Sequence, residues 1–395
     1  MIRRAPFVVI AILAAAPAVP EAAAQLPGIF PAGSNWIDPF YPKLFWTPRE
    51  GVTAGLFYSV ALQPDYADDT PAPFRARFAL DVQASTSRSR FAELDAWLPA
   101  LADGWRFHVT LAAEHWRREP YLGIGTANLA DAPLADSVER FYQALHVRNY
   151  VRGDVQRRIA GGLRILVGWH AEHWLLDSLA APSQAAADRA AGIDARLGTG
   201  TSEVSLRAGL VFDTRDREAS PQRGVLLEAI HSRADADVAG DLTYTRTTLS
   251  GRGWLPLSER WGLAARIAAE TMSGAPAVGS YFSIEGSERR VEALGGPESH
   301  RGLYRFRFLD ADKLFGNFEV RYAIYPYLLR PVLVGFVDVG RVFPPGGLEL
   351  TTTDLKVGGG LGLYIQFLSE NAILGGTVAY GPDGVAVQGA WRWAF

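Results

Sequence analysis

Along residues 385–395 the side chains alternate without a break. Val385, Val387, Gly389, Trp391, Trp393 and Phe395 fall on one face, and Ala386, Gln388, Ala390, Arg392 and Ala394 on the other. A period of two is the pattern of a strand with two unlike faces. It returns in 355–367, where Leu355, Val357, Leu361, Leu363, Ile365 and Phe367 oppose Lys356, Gly358, Gly360, Gly362, Tyr364 and Gln366. Phe78, Leu80 and Val82 oppose Arg77, Asp81 and Gln83, and Leu163, Ile165, Val167 and Trp169 oppose Arg164, Gly168, His170 and Glu172. Such a chain folds all-β, with one greasy and one polar face per strand. Two architectures satisfy that pattern: a sandwich with its apolar faces inward, or a closed barrel with its apolar faces in lipid.

Three features select the barrel. The strands run about 10–13 residues, where roughly 9–11 tilted residues cross a bilayer and soluble strands average five or six. Trp169, Trp174, Trp391, Trp393 and Phe395 stand at strand ends, where a membrane interface seats aromatics. Residues 1–24 read as a signal peptide: Arg3 and Arg4, an apolar stretch over 7–16, and small residues Ala22, Ala23 and Ala24 before Gln25. The 395 residues include no cysteine, which excludes a lipoprotein anchor, a disulfide framework, a thiol nucleophile and thiolate zinc. With 39 Lys+Arg against 42 Asp+Glu there is no basic excess for nucleic acid. Beyond the leader no apolar run approaches the roughly 20 residues of a membrane helix.

Strands are expected near 51–62, 74–86, 88–98, 104–116, 139–158, 162–175, 203–213, 223–232, 242–253, 261–272, 313–325, 331–343, 355–368, 372–380 and 385–395. Single-chain bacterial barrels use even strand numbers, so sixteen are expected. Either 36–47 supplies the missing one or 139–158 folds as two. The domain reading is a leader over 1–24, a short periplasmic lead-in over 25–50 and a transmembrane antiparallel barrel over 51–395. The stretches 117–138, 176–202, 233–241, 273–312 and 344–354 are long loops outside, and short turns lie inside. The Ala-rich 178–201 reads as a flexible loop.

Four segments resemble the BamA/TamA family of outer-membrane barrels, which includes the two-partner-secretion transporters. The first is Gly209-Leu-Val-Phe-Asp213-Thr-Arg215-Asp216 with Pro221 and Gly224, similar to a D-x-R-D strand-turn signature. The second is Leu294-Gly295-Gly296 with Arg301-Gly302-Leu303-Tyr304, similar to the tip of a long sixth extracellular loop. The third is Phe336-Val-Asp338-Val-Gly340, an F-x-D-x-G strand. The fourth is the aromatic end, Trp391, Trp393 and Phe395, similar to the signal read by the barrel assembly machinery. Together they cover 203–395. Members that assemble or secrete proteins carry periplasmic POTRA domains before the barrel, whereas about 26 residues separate leader and first expected strand here, so the chain is expected to lack them.

The resemblance implies a sixth loop folded into the lumen, with Arg301 paired to Asp338. Alternation puts Asp338, Glu319 and Arg321 on the inward face, so Glu319 is a second acceptor for Arg301. A guanidinium fork on carboxylates is a directional latch. Reversing both charges should then partly restore what reversing one impairs. The glycines 358, 359, 360 and 362 fit a wall that another backbone approaches. The implied function is non-enzymatic: outer-membrane protein assembly, insertion or translocation. Lipid, the assembly machinery and a periplasmic or secreted protein are the partners, with neither cofactor nor metal. Alternatives are a diffusion pore or a phospholipase-like enzyme, the latter needing serine beside His115 or His173.

Other motifs point nowhere further. His170-Ala-Glu172-His173 does not converge on a strand, because His173 faces away from the other two. Asp65, Asp68 and Asp69, and Asp235, Asp237 and Asp241, lack the glycine and terminal glutamate of a calcium loop. Gly123-Ile-Gly125 lacks the third glycine of a nucleotide loop.

Overall fold

The computed structural model describes residues 35–47, 49–64, 70–125, 140–179, 181–324, 329–367 and 372–395. The leader, Asp65 to Asp69, most of the expected outer loop 117–138 and residues 325–328 and 368–371 lie outside these.

The strands run in chain order. β1 is two in-line segments, Trp36–Ile37 and Phe40–Thr47; then come β2 (Gly51–Leu62), β3 (Ala76–Ser85), β4 (Arg90–Ala102), β5 (Trp105–Pro120) and β6 (Gln143–Ala160). β7 (Leu163–Ser178), β8 (Thr201–Asp213), β9 (Gly224–Ala234), β10 (Tyr244–Pro256) and β11 (Trp261–Gly274) continue the series. β12 (Asp312–Ala323), β13 (Leu329–Phe343), β14 (Lys356–Phe367), β15 (Ala372–Gly381) and β16 (Gly384–Ala390) complete it. Each strand pairs antiparallel with the next in one large sheet, for example Gly224↔Trp254 and Asn317↔Asp338.

Both segments of β1 pair with β2, and Pro39, which has no N–H, sits in the break between them. Among the described residues the main sheet therefore holds sixteen barrel strands. The missing strand is 36–47, and 139–158 forms the single strand β6. First and last strands meet where the Phe45 and Trp391 rings lie 5.8 Å apart. No helix among the described residues is long and apolar enough to cross a membrane.

The two faces divide as alternation requires. Leu206, Leu210, Leu249, Ile267, Phe318, Val337 and Leu361 are exposed on the outside. Arg246, Glu270, Lys313, Glu319 and Asp338 are buried on the inside. Exposed aliphatics around a buried ionic interior invert the soluble pattern and identify lipid as the outer solvent.

Three local expectations change. Trp174 is buried in the lumen, not at the interface, because it is in phase with His170 and Glu172 rather than with Trp169. β16 stops at Ala390; Trp391 stays exposed, but Trp393 and Phe395 turn inward instead of continuing the outer face. Trp393 stacks on Tyr364 at 4.8 Å, and the Ala394 carbonyl accepts from Arg266 Nη1 at 3.2 Å. The Ala-rich 178–201 contains helix α1 (Gln184–Ala190), capped by Ser183 Oγ accepting from Ala186 N, with Ala185 and Leu197 buried. An alanine run plus an N-cap is helix-forming once an apolar surface is offered.

Candidate functional site

The site is the path of the long loop between β11 and β12 through the lumen. It begins at the long-loop end, where Val278 N donates to Asp194 Oδ2 at 2.9 Å. The one-turn segment Val278–Phe282 leads into a two-strand ribbon, Ser283–Ile284 against Val291–Glu292. Arg246 Nη2 donates to the Ser280 carbonyl at 2.7 Å. At the ribbon's bend, Glu285 takes Arg207 Nη1 and Arg290 Nε, each at 2.6 Å. Ser287 N donates to Glu228 Oε1 at 2.7 Å. Burial alone would raise the Glu285 carboxyl; Arg290, Arg207, Arg152 and Arg246 outweigh it and hold it well below the usual range. Burial also opposes the charge of Arg290, yet Glu285, Glu172 and Glu203 hold it well above its ordinary value.

The tip then seats on the β12–β13 wall. Asn317 and Asp338 are direct cross-strand partners, and Glu319 is two residues on along the same face. Arg301 donates from Nε and Nη2 to Asp338 at 2.9 and 2.7 Å, and from its backbone N to Asp338 Oδ2 at 2.8 Å. Its Nη1 donates to Glu319. The guanidinium lies 3.7 Å from the centre of the Phe336 ring. Asn317 Nδ2 bridges Asp338 Oδ1 and the Ser299 carbonyl, each at 2.7 Å. Burial works against the Arg301 charge, but the Asp338 bonds and Glu319 raise its pKa above the ordinary value.

Gly302 is what lets the tip come so close. A Cβ there would stand 3.0 Å from Gly358 Cα and 3.3 Å from Gly381 Cα. Gly358 is one of the four glycines expected in the wall. Gly381 and Asn317 were not singled out from sequence, since the contacts that use them cross strands.

At the short-turn end, Arg215 Nε and Nη2 each donate to Asp213 at 2.9 Å, and Arg215 also bonds Glu288 from the loop. Asp216 Oδ1 accepts the backbone N–H groups of Gln222 and Arg223 at 3.0 and 3.1 Å. Pro221 is buried, and Gly224 has φ +105. The strand-turn motif thus folds one turn and presents Arg215 to the loop.

The remaining candidates separate. His170 and Glu172 lie inside, His173 outside. His173 Nδ1 and Ser202 Oγ are 3.0 Å apart on the outer face, the closest approach to the hydrolase alternative. A serine hydrolase also needs an acceptor to orient its imidazole, and no carboxylate bonds His173 among the described residues. His115 lies on β5 in the same outward register as Leu111 and Val109. Asp235 takes Arg233 and its own loop's backbone, and Asp241 takes Ser202 N of β8, so these aspartates hold loop and strand ends.

A family model described as the Omp85 superfamily domain matches residues 77–372. Among solved structures the fold resembles BamA from Haemophilus ducreyi lacking POTRA domains 1-3, with TM-score 0.54 and 13% identity over 90% of this chain and 69% of that one. It also resembles CdiB from Escherichia coli, with TM-score 0.58 and 10% identity over 91% of this chain and 62% of that one. No curated protein matches by sequence.

Proposed function

The chain is a member of the Omp85 superfamily, and from that premise we propose that it is a non-enzymatic outer-membrane barrel that inserts polypeptides into, or passes them across, the outer membrane. The observation that carries this reading is the ionic seat of the sixth loop: Arg301 on Asp338 and Glu319 inside a lumen the loop otherwise fills. The charge pairs fix the direction of a plug that is also packed by apolar contacts, such as Leu294 and Leu303 against Phe315 and Val342.

In this mechanism the loop tip is the latch, with Arg301, Gly302, Asp338 and Glu319 as its parts. Asp213, Arg215, Asp216, Pro221 and Gly224 set the turn that meets the loop from below. Trp391, Trp393 and Phe395 serve the barrel assembly machinery before the strands close. The client is a polypeptide delivered from the periplasm or secreted to the surface. The likeness to BamA and to CdiB, both at low identity, supports the fold behind this reading and leaves the choice between insertion and translocation to experiment.

Planar bilayers test the plug. The native chain should give small, flickering currents, and Arg301→Ala large steady ones. Large steady currents from the native chain would make it a plain pore. Liposomes carrying the protein should speed insertion of an unfolded barrel client, and no acceleration would remove the insertion role. Hydrolysis of lipid by the pure protein, lost in Ser202→Ala, would favour the enzyme instead.

A further inference from the structure

Outside the latch, one lumen cluster has ligand chemistry that the plug mechanism does not use. His170 and Glu172 share the inner face of β7, and Glu203 on β8 is the direct cross-strand partner of Glu172. All three are buried. His170 Nε2 is 2.6 Å from Glu172 Oε2 and 3.9 Å from Glu203 Oε1. One ligand atom from each residue falls within 4.8 Å of the others.

The outer oxygens are tied down. Glu172 Oε1 accepts from Arg148 Nε at 2.7 Å, with a longer 3.4 Å contact from Arg148 Nη2 to Oε2. Glu203 Oε2 accepts from Tyr244 OH at 2.9 Å and from Ser280 Oγ at 3.2 Å. Each carboxylate is therefore oriented by its surroundings, as metal ligands are by their supporting hydrogen bonds. A side chain from outside the trio marks the same spot. A cation already occupies the inner oxygens: Arg290, from the loop, places Nη1 2.7 Å from Glu172 Oε2 and Nη2 3.8 Å from Glu203 Oε1.

We propose that His170, Glu172 and Glu203 form a divalent-cation site that Arg290 fills while the loop is seated and that Zn²⁺ fills when Arg290 withdraws. One imidazole and two carboxylates match the three protein ligands that zinc takes when another group completes its coordination. The guanidinium and the metal compete for the same two oxygens, so zinc holds the loop away from this wall. Withdrawal of Arg290 would leave Glu172 with Arg148 and Glu203 with Tyr244 and Ser280, and their inner oxygens short of a cation that a metal supplies. The site differs from the pattern dismissed in the sequence, since Glu203 of the neighbouring strand takes the place that His173 cannot reach.

The test uses the full chain folded in detergent micelles, with Zn²⁺ alone as probe and calorimetry as readout. Arg290→Gln should bind one Zn²⁺ per chain at least tenfold more tightly than the native chain. Adding Glu203→Gln or His170→Gln to Arg290→Gln should abolish that gain. Equal affinity in native and Arg290→Gln chains, or tight binding that survives Glu203→Gln, overturns the site. Should Arg290→Gln fail to fold, judged by heat-modifiable gel mobility, the native chain carries the test. There Zn²⁺ should speed proteolysis within the loop, with no effect in Glu203→Gln; no change in the native chain overturns it. None of these readouts involves a client, so failure here leaves the insertion reading standing, and the reverse also holds.

Discussion

At the scale of single residues, Arg301 is where geometry makes the sharpest demands. Its fork spans two carboxylates, and Arg301→Ala should cost on the order of 3–5 kcal/mol by stranding Asp338, while Arg321 still bonds Glu319, read as a lower midpoint of heat-modifiable migration. Arg301→Lys should recover little, because an ammonium cannot bond both carboxylates and the Phe336 face together. Glu319 also changes the expectation for a charge swap. Arg301→Asp with Asp338→Arg sets the new loop carboxylate against Glu319, so adding Glu319→Gln should restore more function than the double swap. Asp310 gives a pH signature. Burial pushes its carboxyl up to about 6 from an ordinary 3.8. The folded chain therefore binds the extra proton between those values, and stability falls as pH rises through that window. Asp310→Asn should flatten the thermal midpoint across that same window; an unchanged slope would assign the titration elsewhere. Alternation put Asp338, Glu319 and Arg321 on one inward face from sequence alone. Asn317, Gly381 and Glu203 were not legible, because each works through a neighbour on another strand or loop, and linear spacing carries no cross-strand register.

At the scale of elements, the β8–β9 turn and the C-terminal segment show how local rules yield to tertiary context. Gly224 has φ +105, and a Cβ there would stand 2.2 Å from the Thr214 carbonyl oxygen. Gly224→Ala should destabilise the barrel by more than the roughly 1 kcal/mol that separates Gly from Ala in regular structure, seen as a lower denaturation midpoint in urea. Period-two patterning located nearly every strand, since the lipid face fixes the register of each. The pattern overran at the end: Trp393 and Phe395 keep the phase of Val385 and Val387, yet they lie in the lumen. There the inner aromatic and arginine groups, Tyr364, Trp254, Arg266 and Arg321, offer more contact than lipid does. The helix within 178–201 was hidden likewise, because a short alanine-rich run gains its stability from the surface it packs on.

At the scale of the whole molecule, inside and outside have exchanged the roles they hold in a soluble protein, and the sixth loop runs the depth of the lumen. It touches Asp194 near one end and Arg215 near the other. The barrel class was legible because outward faces repeat their character strand after strand. The loop's route was not, because its contacts join residues more than a hundred positions apart, such as Arg290 and Glu172. Salt should affect the plug weakly, since buried pairs are poorly screened; single-channel currents of the native barrel should stay small from about 0.1 to about 1 M KCl after correction for bulk conductivity. The threading of that loop has a practical corollary. The chain contains no cysteine, so one pair of thiols engineered between loop and wall would form the molecule's sole disulfide. Oxidant would then bolt the loop in place and reductant would free it, giving an external redox key to the loop release proposed above.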